Sequence, residues 1–197
     1  DSYALRTPEA AAHIDIYEVD HPATQSLKRL RIQACGLSVR DSVHFLAADL
    51  STESLGAVLE KSTFDPTRPA FFSWLGVTMY LTREANVASL RAIAGSAAAG
   101  SELVFTYLDQ QAFEGIRLAD TEIGQSVASI GEPFLSGFDP ATLAQDLNAL
   151  GFDLVEDLDD EQLVARYDPQ GLNGLKSARQ SRIALARVSG TSGHGGA

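Results

Sequence analysis

Two carboxylates close two short apolar runs, and their placement is the strongest chemical clue in the chain. His13-Ile14-Asp15-Ile16-Tyr17-Glu18-Val19-Asp20 ends on Asp20, and Val43-His44-Phe45-Leu46-Ala47-Ala48-Asp49-Leu50 ends on Asp49 and Leu50. Each run reads as a buried strand stopped by an acid. Open parallel α/β sheets bind ligands just beyond the carboxyl ends of their strands. Two acids one strand apart at that edge suit a nucleoside. A carboxylate accepts from both hydroxyls of a vicinal diol, as no neutral side chain does so well, which suits Asp20 to a ribose. Asp49 is suited to accept from an adenine amine, with the Leu50 amide donating to a ring nitrogen and the Leu50 side chain against the ring. Each position also has a plain structural alternative. Asp20 can cap the helix that Pro22 opens, and Asp49 can be an acid near the start of the next helix. Glu18 shares a strand face with Asp20 and is the second candidate for the ribose.

These groups need a scaffold of alternating strands and helices, and the pattern supplies one. A short helix is expected over Tyr3–Ala12. After Pro22, Ala23–Ala34 reads as a helix with Leu27, Leu30 and Ala34 on one face, stopped by Cys35-Gly36. Ser51 is the expected N-cap of a helix reaching Lys61. Ala70–Leu75 is a continuous apolar strand, as in a sheet covered on both faces. Thr82 is expected to cap a helix to about Ala98, with Glu84 in its first turn, where the dipole favours an acid. A strand Glu102–Tyr107, a helix over Gln110–Val127, a loop over Gly131–Gly137 and a helix over Ala141–Leu150 follow. Then come a strand Phe152–Leu158, a helix Glu161–Tyr167 and a last strand Arg182–Val188. Alternation of this kind predicts the α/β class with a doubly wound, mostly parallel sheet. The two late strands are expected as an antiparallel pair at one edge.

Composition narrows the field. With 197 residues and 45% apolar content, the chain is expected to form one domain over residues 1–188 with a small polar tail over 189–197. The net charge of -11 and the lack of any Lys/Arg cluster argue against nucleic acid as a partner. A single cysteine, Cys35, excludes an internal disulfide and a cysteine metal cluster. None of the four histidines has metal-ligand spacing to another His, Cys or acid. No apolar run approaches membrane-spanning length and no secretory signal opens the sequence, so a cytoplasmic protein without a membrane partner is expected.

The words Glu18-Val19-Asp20-His21-Pro22, Ala48-Asp49-Leu50 and Phe72-Ser73-Trp74-Leu75-Gly76-Val77-Thr78-Met79-Tyr80-Leu81 occur in that order. So arranged, the chain resembles the leucine carboxyl methyltransferase-like family of class I S-adenosylmethionine (SAM) methyltransferases, over Asp1 to about Val188. The stretch Leu163–Tyr167 with Gly171-Leu172 adds to the likeness. The resemblance implies a Rossmann-like methyltransferase sheet and SAM as cofactor. It also implies O-methylation of a small molecule or a protein terminus. Family members carry a Gly-Ala-Gly-type loop before an Asp-Ser or Asp-Thr pair, so Asp1-Ser2 is expected to follow that loop directly. The first strand and the loop would then lie outside this sequence, and Asp1 would be a cofactor contact. Asp20 stands nineteen residues after Asp1, the spacing of a ribose-binding acid from a glycine-rich turn. The family's Asp-Leu pair matches Asp49-Leu50 and contacts adenine. Trp74, Leu75 and Tyr80 leave the strand that the resemblance puts under the sulfonium, and aromatic faces attract a cation. Gly76 would let backbone approach a ligand closely. Where many members place a glutamate near Leu75, this chain has none.

Substrate-side candidates are Tyr80, Tyr107 and Asp109. For the latter two, packing of Tyr107 and helix capping by Asp109 are the alternatives. Arg117 and Arg166 are candidates for pairing with an acidic substrate. A carboxylate acceptor is already ionised and needs no base, whereas a hydroxyl would need one, with Asp109 or His21 in reach of that role. The sequence presents no convincing base, which leans toward a carboxylate. A nicotinamide-dependent oxidoreductase on a similar sheet is one competing reading, and it would want a parallel final strand. Others are a non-catalytic SAM-binding remnant and an interaction domain that offers a sheet edge to a partner chain.

Overall fold

The computed structural model describes Leu5 and residues 13–50, 52–118, 134–177 and 180–190. The helix expected over residues 3–12, the contact expected at Asp1, the Ser51 cap and most of the tail lie outside the described residues, as do residues 119–133. The chain divides into two compact units, Asp1–Asp65 and Pro66–Ala197; the single domain expected over residues 1–188 spans both, and each unit is described by itself.

The first unit is a strand–helix–strand crossover. β1 (Ile16–Asp20) pairs in parallel with β2 (Val43–Ala47), with Asp20 opposite Ala47. Between them runs α1 (Pro22–Ala34), with Pro22 in its first turn, where a missing N–H costs nothing. His21, rather than Asp20, caps it: its Nδ1 accepts from the Ala23 amide at 3.3 Å. The helix stops at Cys35, and Gly36 follows with φ 65°. Its inward face differs from the expected apolar one. Leu27 and Leu30 are 48% and 62% exposed, while Gln25 and Ile32 are buried. Gln25, Lys28, Arg29 and Ile32 follow the i, i+3, i+4, i+7 rule of one helix face. Lys28 meets Glu18 of β1, and the Arg29 guanidinium lies 5.3 Å from the Phe45 ring centre of β2. On the sheet's opposite face Tyr17 stacks on His44 at 4.6 Å and bonds Thr63 through its hydroxyl. α2 (Leu55–Glu60) begins after Ser54, which adopts the extended N-cap conformation three residues later than expected.

The second unit carries a four-stranded sheet in the order β3-β4-β6-β5, built from β3 (Phe71–Trp74), β4 (Glu102–Leu108), β5 (Phe152–Asp159) and β6 (Ser181–Val188). β3 and β4 are parallel, and β6 runs antiparallel to both β4 and β5. The late antiparallel pair is therefore at one edge, with the reversed strand β6 inside and β5 outermost. Leu103, Phe105 and Tyr107 of β4 and Ala184 and Ala186 of β6 are fully buried. Leu90 and Ile93 of α3 (Arg83–Ser96) and Leu143 and Leu147 of α5 (Leu143–Asn148) join that core, and α4 (Gln110–Leu118) adds Phe113. Thr82 caps α3 by accepting from the Ala85 amide at 3.2 Å. α6 (Asp160–Tyr167) opens with a reciprocal box between Asp159 and Gln162. Phe138 extends the sheet beyond β4: its amide donates to the Leu108 carbonyl, and its ring packs on Phe105 and Tyr107. A Cβ on Gly137 would come within 2.8 Å of that same carbonyl, so the approach requires glycine.

Candidate functional site

In the first unit the strand ends bring the proposed nucleoside-binding groups to one edge. Parallel pairing puts Asp20 opposite Ala47, and the Ala48 amide donates to the Asp20 carbonyl at 2.9 Å. Asp49 thus follows directly beyond the carboxyl end of β2, beside Asp20 at the end of β1. Asp20 is half-buried, and its Oδ1 accepts from the His21 amide at 2.7 Å. Its Oδ2 meets no donor among the described residues. The Asp49 carbonyl is held by the Thr52 and Glu53 amides, and the Asp49 amide donates to Glu53 Oε1 at 3.3 Å. That turn leaves the half-buried Leu50 with its amide unmatched by any acceptor among the described residues. An open carboxylate oxygen that accepts and an open amide that donates, flanking Asp49, form a pair that suits a ribose diol and an adenine edge.

Glu18 occupies a different setting. Its Oε2 takes the Lys28 ammonium at 2.6 Å, with both side chains largely buried, and its Oε1 is buried with no hydrogen-bond partner among the described residues. Gln25, itself buried, donates to the Glu18 carbonyl.

In the second unit the carboxyl ends of β3 and β4 carry the remaining candidates. Trp74 ends β3 half-buried, and Leu75 is 50% exposed. Gly76 turns the chain with φ 71°, and its amide donates to Thr106 Oγ1 at 2.7 Å. A 3₁₀ turn, Thr78–Tyr80, leaves Tyr80 exposed beside Phe134, ring centres 5.6 Å apart. This turn is fixed from below by polar groups that sequence reading missed. Asn86 of α3 is wholly buried and donates to the Thr78 carbonyl and to Ser136 Oγ, each at 2.9 Å. Ser136 in turn donates to the Leu81 carbonyl at 2.8 Å, and the Thr78 hydroxyl to the Thr106 carbonyl at 2.6 Å. The signal available was an Asn on the helix face that carries Leu90 and Ile93.

Tyr107 is fully buried, and its hydroxyl donates to both oxygens of Asp157 at 3.0 Å. Burial, then the neighbouring Asp157 charge, drives its pKa far above the ordinary phenol value. It is packed in the core and holds its proton. Arg182 grips the other side of Asp157, at 2.9 Å through Nη2, and reaches Asp159 at 3.8 Å. Asp109 caps α4, with Oδ1 accepting from the Gln111 amide at 2.8 Å, and its Oδ2 has no donor among the described residues. It also lines a shallow depression with Asp159, Asp160, Glu161, Gln180, Ser181 and Arg182. The carboxyl ends of β4 and β5 and the start of β6 meet there. Four of those seven groups are acids, and the one cation among them is already engaged by Asp159 and by Asp157. Arg166 forms a two-pronged pair with Glu156 at 2.7 and 2.8 Å, so it is committed within the fold. The Arg117 side chain lies outside the described residues. Among the described residues no group of His, Cys, Asp and Glu is arranged to hold a metal, and no helix is long and apolar enough to cross a membrane.

Comparisons with known proteins bear on the family and the fold. Residues 1–94 match the family model for leucine carboxyl methyltransferase. A Bacillus subtilis (strain 168) protein named "Putative S-adenosyl-L-methionine-dependent methyltransferase YktD" is 31% identical over 166 residues, 83% of this chain and 54% of that protein. A Mycobacteroides abscessus protein named "Putative S-adenosyl-L-methionine-dependent methyltransferase" is 30% identical over 108 residues, 55% of this chain and 34% of its own length. The chain thus spans about half or less of the length of these relatives. In fold it is similar to a duf574 family protein from Streptomyces avermitilis, with TM-score 0.59, 17% identity and coverage of 94% of this chain and 78% of that one. A magnesium protoporphyrin IX methyltransferase from Synechocystis PCC 6803 gives TM-score 0.55 at 14% identity, covering 95% and 69%. The mostly parallel sheet with a reversed strand inside its edge is the class I methyltransferase arrangement, and the antiparallel β6 departs from the parallel final strand that the oxidoreductase alternative wants.

Proposed function

Because residues 1–94 match the family model for leucine carboxyl methyltransferase, we propose that the protein is a SAM-dependent methyltransferase that alkylates an oxygen. The observation that carries the reading is the open pair of groups at the carboxyl edge of β1 and β2. Asp20 Oδ2 accepts from the ribose hydroxyls, the Leu50 amide donates to a ring nitrogen, and Asp49 takes the adenine amine. When bound, SAM supplies an electrophilic methyl on a sulfonium. The chain's contribution is mainly orientation, which by itself lowers a bimolecular barrier by several kcal/mol.

On the acceptor side, the acidic depression at the end of β4 favours a hydroxyl over a carboxylate. Asp109, Asp159, Asp160 and Glu161 surround an approaching group, and like charges repel an anion. This reverses the lean toward a carboxylate drawn from the lack of a base. Asp109, whose Oδ2 has no donor among the described residues, is our candidate to take the hydroxyl's proton. The acceptor is a small molecule or a protein terminus bearing that hydroxyl.

Calorimetric titration of the protein with SAM, S-adenosylhomocysteine and a nicotinamide cofactor tests the first half. The expected result is binding of the two sulfur nucleosides alone, weakened at least tenfold by Asp20→Asn, about 1.4 kcal/mol. Nicotinamide binding, or an Asp20→Asn variant that binds normally, defeats the assignment. Methyl transfer to phenols and alcohols, lowered about 10²-fold by Asp109→Asn, tests the second half; turnover only on carboxylic acids rejects it.

A further inference from the structure

We infer that Glu18 and Lys28 form a positioning pair for Asp20 and are not themselves ligands, an inference that rests on the nucleoside reading above. Glu18 lies two residues before Asp20 on the same strand face, and Lys28 projects from the inward face of α1. Their contact is 2.6 Å, with 16% and 20% of the side chains exposed. Stability alone is a poor account of such a pair. Removing two charges from water costs about as much as their attraction returns, unless every remaining lone pair is satisfied. Here Glu18 Oε1 is buried with no hydrogen-bond partner among the described residues, so an apolar pair would hold α1 against β1 at least as well.

What the ion pair adds is register. The segment from Glu18 to Pro22 is fastened at both ends. At its start, the Glu18 side chain is tied to Lys28 and its carbonyl to Gln25. At its finish, His21 caps α1 through the Ala23 amide, and its own amide holds Asp20 Oδ1. Asp20 sits between the two fastenings, so its free Oδ2 is aimed by how β1 enters α1. A directional contact fixes that entry to within a rotamer, and an apolar one lets the helix slide. Small misplacements of a binding group lower affinity steeply.

The test separates stability from binding. S-adenosylhomocysteine affinity by calorimetry and thermal midpoint by circular dichroism are measured for the wild type, Lys28→Met, Lys28→Arg, Glu18→Gln and the apolar double variant Glu18→Leu/Lys28→Met. Lys28→Met and Glu18→Gln are expected to lower both quantities, with affinity down roughly tenfold, and Lys28→Arg to recover affinity. The double variant is expected to regain the wild-type midpoint while its affinity stays low. Affinity that returns with the midpoint makes the pair merely structural and overturns the inference. Normal affinity in Lys28→Met with loss in Glu18→Gln makes Glu18 a ligand, which also overturns it. Failure of the wild type to bind, or indifference to Asp20→Asn, removes the nucleoside reading itself and this inference with it.

Discussion

Single side chains divide here into those turned to the strand ends and those consumed within the fold. Tyr107 belongs to the second kind. Its hydroxyl is one of several donors to Asp157, so Tyr107→Phe removes one hydrogen bond and leaves Arg182 in place. Urea denaturation is expected to show a loss of about 1–2 kcal/mol with methyl transfer unchanged; lost turnover at unchanged stability would assign Tyr107 to the chemistry. Asp168 organises the loop after α6. The Asn173 amide chiefly, then the amides of Leu175, Leu172 and Gly174, hold its carboxyl below the ordinary value of 3.8 against the opposing effect of burial. Because its folded pKa is depressed, its contribution is complete above the ordinary carboxylate range and is lost as pH falls through the folded pKa. Asp168→Asn is therefore expected to lower the thermal midpoint at neutral pH and to flatten its decline below pH about 4. An unchanged acid limb would show that the loop is held by other groups. Sequence reading put Asp20, Asp49 and Leu50 at the strand ends because such ends are marked locally, and the structure has them there. It could not find Lys28 or Ser136, whose roles depend on partners 10 and 50 residues away.

Elements were legible where periodicity decides them. The strands from Ile16 to Val188 were expected within about two residues at either end, since apolar runs bounded by turn residues report burial directly. α1 shows the limit. Leu27 and Leu30 suggest an apolar face, yet the helix turns Gln25, Lys28 and Ile32 inward, because the charge on Glu18 recruits a lysine that periodicity counts as surface. The placement of β6 between β4 and β5 was likewise invisible, as pairing order is a property of the whole sheet. The join of Phe138 to β4 depends on Gly137, where any Cβ meets the Leu108 carbonyl, the Gln110 backbone and Phe113. Two of those three neighbours are backbone and cannot swing aside. Gly137→Ala is expected to cost about 1–3 kcal/mol in chemical denaturation, and a neutral substitution would mean that the 134–138 segment is not held against β4.

At the scale of the molecule, the two units have unequal resources. The first has a two-stranded sheet, which is marginal by itself in water, with Ile32, Val43, Ala48, Val58 and Leu59 as the buried apolar groups among its described residues. The second has four strands and two strands' worth of fully buried side chains. Hydrogen exchange should therefore rank β4 and β6 amides slowest and β1 and β2 amides faster. Equal protection in both units would show that they open together. Addition of S-adenosylhomocysteine should slow β1 and β2 selectively, since a ligand protects the element that holds it.

The reversed strand has a consequence for how this protein is made. β5 leaves the ribosome before β6, yet every hydrogen bond that ties β5 to the sheet runs through β6. Until β6 is made β5 has no strand to join, and it carries acids at Asp153, Glu156, Asp157 and Asp159. The sheet can be finished only after Val188 has emerged, because β6 supplies the pairing of both β4 and β5.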